Sequence, residues 1–264
     1  MLGLQRTMYI MRRIYRAVLP RLRDPVLDGP AITCDADDQY FVAYRTVVDD
    51  CYPNASVFVR ARYAEGQRWR TVFMHYAESG RILDVGAGDG AVELAFSADE
   101  RWTSVSVENV WNDTFRHLRD ATGASVRRVV ADAARLPFRD GCFAAVTCLE
   151  TVEHLHKPAL VADEIARITR PGGMLLITTP PRFRYAFRRD PHFDIPGLLL
   201  LPMRMQRMIA SILGYTRPDH HVDKIYTSIA QLRRLFCRFA LLDILSRSRA
   251  PRRWFWDAIV FGRK

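Results

Sequence analysis

Arg81-Ile-Leu-Asp-Val-Gly-Ala-Gly-Asp-Gly90 decides how this chain folds. Ile82, Leu83 and Val85 read as a short buried strand, and three alternating glycines follow before a helical pattern begins near Ala91. A strand that runs through a glycine turn into a helix opens a parallel α/β unit. Working outward, 103–107, 126–130, 143–147 and 174–178 have strand character, with helical stretches such as 111–121 and 158–169 between them. A helical pattern over 57–78 stops at Ser79-Gly80, a usual helix end. A helix near 228–236 and two strands near 241–245 and 254–261 close the chain. Strands alternating with helices predict an α/β fold, a Rossmann-like, doubly wound sheet covered on both faces. Ligands bind such sheets at the carboxyl ends of the strands.

The glycine turn sits at one of those ends. Gly86, Gly88 and Gly90 let the backbone approach a ligand closely and adopt positive φ. Glycine alone is a weak signal, because dinucleotide sites use it too. Here the spacing is G-x-G-x-G, and Asp84 and Asp89 place carboxylates where a pyrophosphate would need donors and no negative charge. Carboxylates suit a ligand bearing an ammonium or sulfonium group. Glu108 ends the second strand, 22 residues after Gly86, a position suited to accepting hydrogen bonds from ribose hydroxyls. Asp132, followed by Ala133, ends the third and can accept from an exocyclic amine, with Leu136 and Phe138 packing on the ring. Asp132 can equally cap the segment after it.

Composition narrows the class of protein. With 264 residues and 49% apolar content, the chain can bury a substantial core. No apolar run approaches the roughly 20 residues of a membrane-spanning helix. The five cysteines show no C-x-x-C pair and read as reduced thiols of a cytoplasmic protein. A net charge of +10 favours an acidic partner, or simply an arginine-rich surface.

Two regions fall outside the α/β rhythm. Residues 1–56 read as an amphipathic helical extension: Leu4, Met8, Met11, Ile14, Tyr15 and Val18 share one face, with Arg6, Arg12, Arg13 and Arg16 opposite. Packing against the protein and peripheral contact of residues 1–20 with a membrane surface are both open. Residues 180–225, rich in proline and carrying the apolar-basic run 195–209, read as a post-sheet insertion within the main domain, 57–264. A long loop on a rigid scaffold is the expected place for an acceptor-binding lid.

Ile82-Leu-Asp-Val-Gly-Ala-Gly-Asp-Gly90, Glu108, Asp132-Ala-Ala-Arg-Leu-Pro-Phe138, Cys148-Leu-Glu-Thr-Val-Glu-His-Leu155 and Arg170-Pro-Gly-Gly173 together closely resemble the class I methyltransferases of the ubiquinone/menaquinone-biosynthesis type, type 11. The resemblance covers about residues 70–180. It implies S-adenosylmethionine as cofactor, with Asp84, Gly86, Gly88 and Gly90 at the methionine part, Glu108 at the ribose, and Asp132 with Ala133 at the adenine. It also implies a seven-stranded sheet whose last strand is antiparallel. Glu108-Asn-Val departs from the usual small residue after the acid but leaves the ribose role intact.

The acceptor side is less determined. On a helical turn Glu150, Glu153 and His154 would share one face at i, i+3 and i+4. A metal site, a base or substrate-orienting role for His154, and helix capping are all open there; no metal is assigned. His192 is the second candidate base, within a segment loosely similar to insertions of methyltransferases of glycan and glycolipid pathways. The expectation is an O-methyltransferase acting on a small-molecule, sugar or lipid-linked acceptor. The alternatives are an RNA methyltransferase, which the positive charge suggests although no RNA-binding module is visible, and a non-catalytic binding protein that kept the fold. Retained acids at Asp84, Glu108 and Asp132 argue against the last, and nucleic acid is not expected as a partner.

Overall fold

A computed structural model describes residues 56–77, 79–88, 90–109, 126–186, 195–212, 225–226, 228–245, 256 and 258–264. The amphipathic helix of the extension, the helix expected over 111–121, Asp89, His192, His220 and His221 lie outside the described residues.

Seven strands form one sheet: β1 Gly80–Val85, β2 Trp102–Glu108, β3 Arg127–Val130, β4 Phe143–Leu149, β5 Thr169–Thr178, β6 Phe239–Leu245 and β7 Ala258–Arg263. Their order is β3-β2-β1-β4-β5-β7-β6. β1 to β5 run parallel, and β7 inserts antiparallel between β5 and β6. The expected α/β, Rossmann-like sheet with an antiparallel last strand is therefore present. The strand order reverses between β1 and β4, which makes the crevice at their carboxyl ends the natural ligand site.

Helices α1 Ser56–Tyr76 and α2 Ala91–Ser97 cover one face, and α3 Pro158–Ile168 and α5 Ile229–Leu235 cover the other. On the first face Phe73, Phe96 and Trp102 meet edge to face, with centroids 5.5 to 6.4 Å apart. Such pairs add about 0.5–1.5 kcal/mol each beyond their buried area. On the second, α3 buries Val161, Ala162, Ile165, Ala166 and Ile168, a single stripe at helical spacing. β4 is buried along its whole length, as expected for a central parallel strand.

β5 starts five residues earlier than the sequence pattern suggests and carries Arg170-Pro-Gly-Gly173 within it. The early part is irregular, with a register break against β4 between Phe143 and Ala145. Gly173 makes this passage possible: a Cβ there would lie 2.7 Å from Thr169 Cγ2 and 3.0 Å from the Ala144 carbonyl.

The described part of the insertion is packed, not extended. It holds the short helix α4, Met203–Ile212, and buries Tyr185, Ile195, Leu198 and Leu199. Arg182 donates to the carbonyls of Leu199 and Leu200, and the Gln206 amide donates to Leu201 O at 2.7 Å. No helix among the described residues is long and apolar enough to cross a membrane.

Candidate active site

The carboxyl ends of β1, β2 and β3 bring Asp84, the glycine loop, Glu108 and Asp132 to one rim of the sheet. Gly86, Gly88 and Gly90 have φ of 76, 58 and 92°, so the alternate glycines are what permits the turn. A Cβ on Gly86 would stand 2.4 Å from Thr151 Cγ2, whereas one on Gly88 would meet nothing within 4 Å. The loop is therefore closed against β4 on one side and open on the other, the shape a ligand-binding cradle needs. Gly90 caps α2, whose first peptide groups add donors to the rim.

Each acid is held differently. Asp84 is nearly buried, and its carboxylate accepts a 2.6 Å hydrogen bond from the Thr147 hydroxyl on β4. Glu108 accepts from the backbone N–H of Gly88, joining the end of β2 to the loop. Asp132 is exposed and accepts from Ala134 N–H at 2.8 Å. It thus closes a local turn, and no helix follows it for a cap to serve. Ala133 beside it is half-buried against the core.

One expectation for the adenine side fails. Phe138 stacks edge to face on Phe143, centroids 5.0 Å apart, at the amino end of β4. Leu136 is buried in the core. Residues 136–140 are drawn there by α3: Arg167 donates to the carbonyls of Phe138 and Leu136 and to Asp140, and Glu164 accepts from Leu136 N–H at 2.8 Å. A cavity of about 380 Å³ opens at that same end, lined by Val105, Val129, Phe138 and Phe143 with Arg81 and Arg127. It is remote from the glycine loop because strands begin there instead of ending.

The segment after β4 also departs from expectation. Only Val152–His154 form a single 3-10 turn, and Glu150 lies outside it with φ 49°. A non-glycine residue in the left-handed region is strained by about 1–3 kcal/mol. It is held because its N–H donates to the Thr178 carbonyl and hydroxyl on β5. The carboxylates do not share a face: Glu150 is exposed while Glu153 is fully buried. No group of three or more His, Cys, Asp or Glu residues among the described residues is placed to hold a metal ion.

His154 is partly exposed, with Nε2 4.0 Å from Glu153 Oε1. Thr151, at the start of the same turn, lies against Gly86, its hydroxyl 3.3 Å from the Gly86 carbonyl. His154 therefore stands on the β4 side of the glycine loop. Burial pushes the Glu153 carboxyl well above its ordinary range, and the Glu150 charge adds to the effect. Burial likewise raises the hydroxyl of Tyr226, with Cys148 and Glu153 as further causes. Tyr226 and Trp256 are buried beside this floor, and the Trp256 indole donates to Thr179 O at 3.1 Å.

The structure brings Asp84, the glycines, Glu108 and Asp132 to one rim, with His154 just beyond β4, and adds Thr147, Thr151, Arg128 and Tyr226, which the sequence reading does not single out. Thr147 sits within a strand and carries no motif signal, and Thr151, although inside the quoted stretch 148–155, is not marked there as a partner of the glycine loop. Parallel pairing of β1 with β4, Asp84 opposite Thr147, is what makes them partners.

Comparison with known proteins agrees with this geometry. Residues 83–177 match the type 11 family described as "Methyltransferase domain". A demethylmenaquinone methyltransferase of Mycobacterium sp. (strain KMS) is 31% identical over 145 residues, covering 54% of this chain and 56% of that protein. An O-methyltransferase of Aspergillus nomiae is 33% identical over 101 residues, covering 37% and 45%. The chain spans about half the length of the curated relatives it matches. A solved structure from Pyrococcus horikoshii OT3 superposes with a TM-score of 0.58 at 16% identity, covering 82% of this chain and 98% of that one, and so shares the fold. The fold is that of the class I methyltransferases, and residues 83–177 are similar to the type 11 methyltransferase domain, a likeness that carries S-adenosylmethionine as the cofactor.

Proposed function

We propose that the protein transfers a methyl group from S-adenosylmethionine to a hydroxyl of a small, amphiphilic acceptor, and that residues 57–264 form the methyltransferase domain. The observation that carries this reading is the row of acids at successive strand ends, Asp84, Glu108 and Asp132, around a glycine loop open on its outer side. Asp84 and the loop would hold the methionine part, Glu108 the ribose hydroxyls, and Asp132 with Ala133 the adenine. When bound, S-adenosylmethionine supplies an electrophilic methyl group on a sulfonium.

The protein's own work is then to orient the acceptor in line with that methyl, exclude water and remove the hydroxyl proton. His154 is the candidate base, because its imidazole is accessible next to the turn that touches Gly86. Burial of Glu153 beside it disfavours the charged form of that carboxyl. The insertion favours an amphiphilic acceptor. α4 exposes Met205, Met208 and Ile212 at helical spacing, with Arg204 and Arg207 exposed on the same helix. That surface suits a sugar- or lipid-linked molecule with an apolar portion and an anionic group.

The test has two parts. Saturating S-adenosylmethionine or S-adenosylhomocysteine at 100 times Kd stabilises the fold by about 2.7 kcal/mol, read as a rise in Tm. Glu108→Gln largely removes that rise. Labelled methyl groups are then followed onto a panel of quinols, sugars and lipid-linked glycans. No Tm rise with either cofactor form would sink the reading, and label appearing only on nitrogen or carbon would reject the hydroxyl acceptor.

A further inference from the structure

The two peptide groups that flank the Gly88 Cα are each gripped by a side chain of a neighbouring strand. The Gly88 N–H donates to Glu108 at the end of β2, and the Gly88 carbonyl accepts from Arg128 Nη1 on β3 at 2.9 Å. The Arg128 guanidinium also reaches Ser106 and Glu93. Nε lies 3.2 Å from the hydroxyl of Ser106, its register partner on β2, and Nη2 lies 3.3 Å from Glu93 in the first turn of α2. The side chains of Arg128 and Glu93 are 0% and 1% exposed, so this is a buried ion pair beneath the loop. One planar guanidinium thus ties together two strands, the loop and the helix that follows it. A lysine ammonium on the same stem cannot present donors in that fixed fork.

This arrangement has a specific consequence for an acidic loop. Asp84, Glu93 and Glu108 converge on it, and without a cation their mutual repulsion would favour an open loop. The cationic cofactor could relieve the repulsion only once bound. Arg128 relieves it beforehand and, by holding the Gly88 carbonyl, fixes the backbone of the residue whose N–H engages Glu108.

We infer that Arg128, paired with Glu93, is a positioning residue that preorganises the backbone on both sides of Gly88, and with it Glu108, for the adenosyl cofactor. The inference rests on the cofactor reading above and adds a residue that no strand-end motif marks. Arg128 does not touch the cofactor; it acts through the loop and therefore on cofactor affinity. Affinity gained this way comes from ordering the loop before binding instead of during it.

Calorimetric titration of S-adenosylmethionine and S-adenosylhomocysteine into the full chain tests it, with Tm measured alongside. Arg128→Met is expected to weaken binding roughly ten-fold or more, the scale of one lost charge-assisted hydrogen bond. Arg128→Lys should recover only part of the loss. Because Arg128→Met removes the guanidinium from the buried Glu93 carboxylate, it also lowers Tm, and a double variant separates the two effects. Glu93→Leu with Arg128→Met replaces both charges by apolar groups and should restore Tm. Its cofactor affinity should stay low, since the Gly88 carbonyl still lacks its donor. Recovery of affinity together with Tm in the double variant would show Arg128 to be only half of a structural pair and would overturn the inference. So would wild-type affinity in Arg128→Met. A wild-type chain that binds neither ligand overturns the cofactor reading, and the inference with it.

Discussion

The two halves of the sheet's carboxyl rim are built by different means. The β1–β3 side presents charged groups at strand ends and a loop whose backbone favours glycine. On the β4–β5 side, the strands are almost wholly buried, and the polar groups beyond them, Glu153, Thr179 and Tyr226, lie inside the protein. Under the proposed function the first half serves a cofactor shared by many proteins, and the second, shaped by what packs over it, serves the acceptor. A constant ligand can be served by a local motif, but a variable one needs a surface assembled from distant segments.

The sharpest way to break this contrast is Gly86→Val. The left-handed φ disfavours a side chain by about 1–2 kcal/mol, and a Cβ 2.4 Å from Thr151 must push the β4 turn away from the loop. Loss of measurable cofactor binding together with a lower Tm is expected in titration and thermal melts. Undiminished binding would mean that the loop and the β4 turn are not coupled.

His154→Ala should leave cofactor affinity as it is and reduce kcat by about 10²–10⁴, the usual contribution of a general base. Equal losses in binding and turnover would move His154 from the acceptor half to the cofactor half. Phe138→Ala should lower stability by about 2–3 kcal/mol, somewhat less than truncation of a fully buried phenylalanine, with cofactor affinity unchanged. A large affinity loss without a Tm change would put Phe138 back on the adenine ring, against its contact with Phe143.

The smallest effect concerns Glu153. Its carboxyl is raised above the ordinary value of 4.5 in the folded protein, so between those two values the native state binds more protons than the unfolded one. Its contribution to stability is therefore complete below about pH 4.5 and is lost as pH rises through the raised value, at no more than about 1.4 kcal/mol per pH unit. Glu153→Gln keeps the shape without the ionisation and should flatten that part of the Tm–pH curve. Identical curves for the two proteins would show that the buried carboxyl does not titrate as its surroundings require.

Much of the fold was legible because the pattern of alternating strands and helices is written in local hydrophobicity. Six strands emerged near the expected positions, while β5 began earlier, because Gly173 lets an irregular strand pass close to β4. Asp84, Glu108 and Asp132 were readable because a strand end and an acid coincide in the chain. The shared face of Glu150, Glu153 and His154 was not, since a helical wheel assumes a helix. Here the bond of Glu150 N–H to Thr178 holds the backbone out of one. Phe138 was misplaced for a similar reason: Arg167, 29 residues away, decides where that turn goes.

By itself, then, the sequence determined the strands, the glycine loop and the acids at the strand ends, all of which depend on neighbours within a few residues. Only the tertiary structure decided which side chains brace that loop. Arg128 reaches Gly88 across 40 positions of chain, and Thr147 reaches Asp84 across 63. Such pairings arise from strand order and register, and no periodicity within a segment encodes which strand will lie beside it.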